Sequence, residues 1–283
     1  MTDMLLGHGR PPSGDSIFFI GNATVLLRYA GFTILTDPSF VHRGESVPLG
    51  YGLSTTRLVD PAAEIDDLPP LDFVLLSHFH GDHFDQAAEQ GLDRGLAIVT
   101  NPEAAAAVEE RGFTNTTRLE TWETLDRRSA KGRLRLTALP AKHAPAALAV
   151  ALPDVMGSLL ELWRAEATGP EPSGRLYVSG DTIMHEGLRE IPERHPEIDL
   201  ALVHLGGTRV MGVTVTMDAD QGVEFLQTIR PRVAVPIHYD DYDAFTSPLE
   251  DFVAAVRSAG IEQSVRTIRR GESLSLEGAI VAG

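Results

Sequence analysis

The sequence predicts an α/β protein in which layers of strand and helix share one domain, and three observations carry that expectation. Short apolar runs of strand length recur between Gly, Pro and Asn residues. Capped or amphipathic helical stretches are interleaved among them. Histidines and aspartates stand immediately after one strand after another, and α/β sheets gather their sites at that end of the strands. No fixed-period repeat, low-complexity tract or linker interrupts the 283 residues. A single domain over 1–283 is expected, with a loose polar lead over 1–15.

Ile17 to Ile20, Thr24 to Tyr29 and Phe32 to Thr36 read as an antiparallel meander separated by Gly21-Asn22 and Ala30-Gly31. The third strand runs into Asp37-Pro38, where a turn role and a functional role are evenly balanced on pattern alone. Residues 39–51, glycine-punctuated and mixed in charge, read as a loop near the site mouth. Phe73 to Leu76 is a buried strand that stops abruptly in Ser77-His78-Phe79-His80-Gly81-Asp82-His83. Phe84 to Gln90 suggests a short helix and Ala97 to Thr100 a strand. Asn101 as N-cap, Pro102 at the first helical position and Gly112 past the end frame a helix to Arg111. Strands are expected near Arg118 to Glu120 and over Leu134 to Leu139, the latter leading to His143.

Residues 144–156 are apolar without a clear period and are expected to form a wall or lid of the pocket. Leu159 to Trp163 and Arg175 to Val178 read as a hairpin whose second strand enters Gly180-Asp181-Thr182. Ile198 to Leu205 is a buried strand, Asp218 to Ile229 an amphipathic helix stopped by Pro231, and Val233 to Ile237 a strand ended by His238. Ser247-Pro248-Leu249-Glu250 reads as a capping box opening a helix to Gly260. Short strands near Val265 to Ile268 and Ser273 to Leu276 close the chain.

The His-x-His-x-Asp-His run is the strongest single signal. With 10 His in the chain, chance places such a run anywhere about once in a thousand sequences. Imidazole nitrogens and carboxylate oxygens are the donors that borderline divalent ions such as zinc accept. In an extended segment His78 and His80 point the same way, and a turn at Gly81 lets Asp82 and His83 face a second ion. The absence of cysteine excludes disulfides and thiolate ligands. A net charge of −16 opposes polyanionic partners, so nucleic acid is not expected. No apolar run reaches the roughly 18 to 20 residues of a transmembrane helix and the N-terminus lacks a secretory pattern, so a cytoplasmic protein is expected.

Thr36-Asp37-Pro38, His78-x-His80-x-Asp82-His83, His143, Gly180-Asp181-Thr182 and Pro236-Ile237-His238, in this order, resemble the five motifs of the metallo-β-lactamase fold superfamily. The resemblance covers residues 17–276. Ile20-Gly21-Asn22-Ala23-Thr24 and Pro236-Ile237-His238-Tyr239 are most similar to the branch of ascorbate-6-phosphate lactonase and the phospholipase D that cleaves N-acyl phosphatidylethanolamine. The resemblance implies a four-layer αβ/βα sandwich with two divalent metal ions at one edge. It implies that His78, His80 and His143 hold one ion, that Asp82, His83 and His238 hold the other, that Asp181 bridges both, and that Asp37 orients ligands by hydrogen bonding. Zinc is the first expectation and manganese the second, because affinity order alone does not set occupancy.

The implied activity is a dinuclear hydrolase cleaving an ester, lactone or phosphodiester bond. A hydroxide bridging the ions is available near pH 7, and the ions stabilise the developing oxyanion. Asp82 can also accept a proton from the nucleophile. His185 and His204 are candidates to protonate the leaving group, against the commoner structural role of a lone histidine. Tyr239 is a candidate hydrogen-bond donor, Asp240 and Tyr242 are expected at the pocket edge, and Arg209 is a candidate for an anionic substrate group. The expected partner is a small molecule with an apolar portion. A di-iron oxidoreductase and a metal-dependent nuclease are the rival classes. The first resembles relatives with an added flavin domain that this length does not suggest, and the second wants a basic surface.

Overall fold

A computed structural model describes residues 14–50, 52–145, 152–166 and 169–277. Strands β1 (Ser16–Gly21), β2 (Thr24–Tyr29) and β3 (Phe32–Thr36) form the expected antiparallel meander. Where a loop was expected, β4 (Ser46–Gly50) and β5 (Leu53–Thr56) form a small hairpin, anchored by Val47 against Val41 and Tyr242. Next come β6 (Phe73–Leu75), α1 (Gln86–Gly91), β7 (Ile98–Thr100), α2 (Pro102–Glu110) and β8 (Thr116–Arg118). Strands β3, β6, β7 and β8 pair in parallel. The Asn101 side chain caps α2 by accepting from the Ala104 N–H at 2.8 Å, which satisfies a donor that no helical carbonyl can reach.

The second sheet begins with β9 (Thr124–Ser129), β10 (Gly132–Pro140), β11 (Met156–Arg164) and β12 (Gly174–Val178), each antiparallel to the next. After α3 (Glu190–Arg194) come β13 (Leu200–His204), a two-rung hairpin of β14 (Arg209–Val210) and β15 (Val213–Thr214), α4 (Ala219–Ile229), β16 (Val233–Ile237) and α5 (Leu249–Ser258). The last strand, β17 (Ser273–Ser275), returns to pair with β1. The sheets read β17-β1-β2-β3-β6-β7-β8 and β16-β13-β12-β11-β10-β9.

Strand alternation builds the layers. Ile17 and Phe19 of β1 join Leu136, Leu160, Leu176, Leu202 and Val235 of the second sheet in one core between the sheets. Their neighbours Phe18 and Ile20 point the other way, onto Ala88 of α1 and Ala104 and Val108 of α2. On the second sheet Leu159, Tyr177 and Val203 face Phe225 of α4 and Phe252 of α5. Both faces of each central strand are therefore covered, which is why these strands read as unbroken apolar runs. The result is the four-layer αβ/βα sandwich.

Four local expectations are corrected. Ser247 does not cap α5: no side chain does, and its Oγ accepts from the Ala219 N–H instead. Residues 265–268 form no strand, only a single bridge between Val265 and Ala234. The expected strand at 118–120 lies at Thr116–Arg118. β9 is an edge strand that was not expected, because its polar residues alternate between exposed and half-buried. Among the described residues no helix is long and apolar enough to cross a membrane.

Candidate metal centre

The parallel pairings bring the C-terminal ends of β3 and β6 together. β10, β12, β13 and β16 likewise share one direction. Asp37 leaves β3 in a left-handed backbone conformation (φ 35°), its N–H bonded to the Leu75 carbonyl at 3.0 Å. Asn22 and His238 are left-handed as well, at φ 53° and 62°. Asn22 joins the two sheets: its carbonyl accepts from the His238 N–H at 3.0 Å and its Nδ2 donates to the Asp82 carbonyl at 2.6 Å. Such backbones cost about 1–3 kcal/mol each and persist where the surroundings over-determine them. The chain turns at Gly81 as expected, with the Phe84 N–H bonded to the His80 carbonyl at 2.8 Å, and without a left-handed backbone at the glycine. A Cβ there would stand 2.6 Å from the Pro48 carbonyl oxygen of β4, so close backbone approach demands the glycine.

The structure brings together all seven expected ligands, each buried. In the first group His80 Nδ1 lies 3.1 Å from His78 Nε2 and 3.3 Å from His143 Nε2. In the second, His83 Nε2 lies 3.2 Å from His238 Nε2, and Asp82 Oδ2 stands 3.3 Å from His238 Nε2 and 3.7 Å from His83 Nε2. Asp181 faces both groups, with Oδ1 3.5 Å from His83 Nε2 and Oδ2 4.0 Å from His143 Nε2. Thr216 Oγ1 donates to Oδ2 at 3.0 Å.

The opposite ring nitrogens define the tautomers. His143 Nδ1 donates to the Val215 carbonyl at 2.7 Å and His238 Nδ1 to the Leu205 carbonyl at 3.0 Å, so that Nε2 is the nitrogen each ring turns inward. Asp37 Oδ1 accepts from the Ser77 N–H at 2.7 Å, and its Oδ2 lies 3.4 Å from His83 Nδ1, as does Ser77 Oγ.

These residues fit a metal pair. Nitrogen lone pairs facing one another repel unless a proton or cation lies between them, and zinc ligands at about 2.0–2.1 Å in a tetrahedron stand about 3.3–3.4 Å apart. Asp82 Oδ1 and Asp181 Oδ1 are buried without a hydrogen-bond partner. The electrostatics agree. Burial, reinforced by the neighbouring imidazoles, holds His78 well below the usual histidine range, and burial with His143 brings His80 down to about 3. Burial also lowers His143. These are neutral rings, the form that ligates. For His83 burial is outweighed by the carboxylates of Asp181, Asp82 and Asp37, which raise it well above the usual range. Asp181, despite burial, is held well below the carboxylate range by His238 and His83. The second group thus sits among carboxylates that draw positive charge onto its imidazoles.

The remaining candidates are placed differently. Tyr239 is turned away from the ligands: it belongs to the apolar cluster of the second sheet with α4 and α5 and lines a surface cavity with Pro248, Leu249, Arg269 and Arg270. Asp240 lines the same cavity and pairs with Arg270 at 2.7 Å. Tyr242 is buried, with its hydroxyl 2.8 Å from Ser39 Oγ and Arg57 over its ring, so it supports the wall rather than meeting substrate. Arg209 is exposed on β14. His185 accepts from the Gly187 N–H at the start of a short helical turn and is in none of the donor groups. His204 is fully buried behind Asp37, out of reach of a leaving group. Of the expected lid, residues 146–151 lie outside the described residues. Ser77 and Asn22 come from stretches the sequence already singled out, whereas Thr216 and Phe245, whose ring lies 4.5 Å from that of His238, stand at the site without any motif to mark them.

Residues 33–239 match the family described as "Beta-lactamase superfamily domain". A protein of Deinococcus radiodurans named "UPF0173 metal-dependent hydrolase" is 31% identical over 258 residues, covering 91% of this chain and 97% of that protein. Among solved structures, a possible metal-dependent hydrolase from Veillonella parvula has a TM-score of 0.78 at 20% identity, covering 93% of this chain and 100% of its own. An isothiocyanate hydrolase from Delia radicum gut bacteria has a TM-score of 0.75 at 22% identity, covering 92% and 98%. At these identities the two structures share the fold.

Proposed function

The chain belongs to the beta-lactamase superfamily, within its UPF0173 family of metal-dependent hydrolases, and from that premise we propose a dinuclear enzyme that cleaves an ester, lactone or phosphodiester bond. The observation that carries this reading is the pair of donor groups with inward atoms 3.1–3.7 Å apart. His78, His80 and His143 would hold one divalent ion, Asp82, His83 and His238 the other, with Asp181 facing both groups. Zinc is the first candidate and manganese the second.

When bound, two such ions supply an activated water near neutral pH and a Lewis acid for the oxygen on which charge develops. The chain supplies the rest. Asp82 Oδ1, buried without a partner, accepts the proton of the attacking water while Oδ2 stays among the donors. Arg209 is available to a phosphate or carboxylate on the substrate. The proposed substrate is small and lipid-like, with an apolar portion. The run Ile20 to Thr24 and the Pro236-to-Tyr239 ending favour the ascorbate-6-phosphate lactonase and phospholipase D branch. One domain over 1–283, in the cytoplasm and without nucleic-acid partners, completes the reading.

The test is a metal assay joined to a screen of lactones, phosphodiesters and thioesters on the purified protein. Hydrolysis by protein carrying two ions is expected. No transition metal bound even after reconstitution would refute the proposal. Iron with redox turnover and no hydrolysis would make the protein a di-iron oxidoreductase, and cleavage of single-stranded RNA would make it a nuclease.

A further inference from the structure

We propose that His204 is a positioning residue that fixes Asp37, and through it His83, so that it sustains the second donor group and not the first. The inference rests on the two-ion reading above.

Three observations carry it. First, His204 breaks the local rule of its strand. Leu200 and Leu202 of β13 face the apolar layer between the sheets, and position 204 continues that face. A fully buried imidazole there incurs a desolvation cost that leucine would not, so a partner must account for it. Second, the partner is Asp37. Oδ2 lies 3.4 Å from His204 Nε2 and 3.4 Å from His83 Nδ1, while Oδ1 accepts from the Ser77 N–H. The carboxylate is therefore clamped between two imidazoles, and the His83 and His204 rings lie nearly parallel, 14° apart with centroids at 5.9 Å.

Third, His204 is itself oriented. Ser179 Oγ lies 3.1 Å from Nδ1 and accepts from the His204 backbone N–H at 2.9 Å. Ser179 Oγ also donates to the Gly180 carbonyl at 3.0 Å, and the His204 ring so held turns Nε2 toward Asp37 Oδ2 at ion-pair distance rather than in an aligned hydrogen bond. The first donor group does not touch His204: His78 Nδ1 meets Ser77 Oγ, which also lies 3.4 Å from His83 Nδ1, and His143 Nδ1 meets the Val215 carbonyl. Loss of His204 frees Asp37 to rotate, and the His83 ring loses its fixed orientation. His78, His80 and His143 keep theirs.

The experiment titrates Co²⁺ into metal-free wild type, H204F, which fills the volume without a donor, and H204Q, which keeps an N–H donor. Wild type should bind two ions. H204F should bind one with unchanged affinity and the other about ten- to hundredfold more weakly, the range for loss of a ligand's supporting partner. H204Q should recover most of the difference. Equal weakening of both ions in H204F, no weakening, or H204Q matching H204F would each overturn the role.

A second measurement is independent of metal. In metal-free protein, nitrogen-edited NMR reads the Nδ1–H of His83, which should be protected from exchange in wild type and H204Q and unprotected in H204F. Identical protection in all three would overturn the proposal. If wild type takes up no Co²⁺ but the protection pattern holds, the two-ion reading fails and the positioning role stands.

Discussion

The two donor groups lie side by side at one edge of the sandwich, yet they are built by opposite means. His78, His80 and His143 offer three imidazoles that burial keeps neutral, supported by a serine hydroxyl and a backbone carbonyl. Asp82, His83 and His238 pair a carboxylate with imidazoles raised above their usual range. Left-handed backbones at Asn22, Asp37 and His238 and a buried stack of polar side chains support them. The first group is a neutral chelate of low strain. The second is charged and strained, and it depends on distant residues. An ion entering the first replaces little, whereas an ion entering the second must displace protons.

The largest effect should come from the one residue the groups share. Asp181→Ala removes the carboxylate that faces both, and metal analysis should show both ions depleted with hydrolysis abolished. Retention of full metal and activity would remove the bridging role. Next, His80→Ala and His83→Ala should separate the groups: each should lower the stoichiometry by one ion and hydrolysis by at least about a hundredfold. If either variant empties both positions, the groups are not separable.

Asp37→Ala should act more mildly, weakening the ion of the second group about ten- to hundredfold with lower thermal stability. Calorimetric titration that found the first group weakened equally would contradict the asymmetry.

Metal-free protein should show the contrast as pH dependence. An unfolded histidine titrates near about 6.5, while folded His80 does so near about 3. Between those values the unfolded state binds more protons, so stability falls as pH falls. His83 has the opposite sign: its folded pKa lies above 6.5, and its contribution is lost as pH rises through that value. Thermal melts should therefore worsen on both flanks, with His80→Ala flattening the acid flank and His83→Ala the alkaline one. The smallest effect is expected from Tyr239→Phe, which should leave activity within about twofold, as for changes away from any special feature. A larger loss would mean that the ring reaches the site.

Much of the centre was legible in the sequence because metal ligands must be His or Asp, and such residues stand out at the ends of apolar strands. The fold's central strands were legible for the same reason, as runs covered on both faces. What escaped depends on the third dimension. His204 sits inside an apolar run and has meaning only opposite Asp37. Tyr239 follows a ligand in sequence but points to the other side. Ser247 has the spacing of a capping residue, yet its hydroxyl is engaged by α4. β9 is an edge strand with little apolar signal, and Gly81 is explained by a hairpin that glycine-rich composition disguised as a loop.

The origin of the ligands has a mechanical consequence. Each donor group takes two residues from the first sheet and completes itself with one from the second, His143 or His238. Bound ions would therefore act as rivets through the two halves of the sandwich at one edge. Rivets can be set only after the plates have met, so they should leave the rate of folding nearly unchanged and slow the rate of coming apart. A chelator would then reveal itself first as faster proteolysis at that edge.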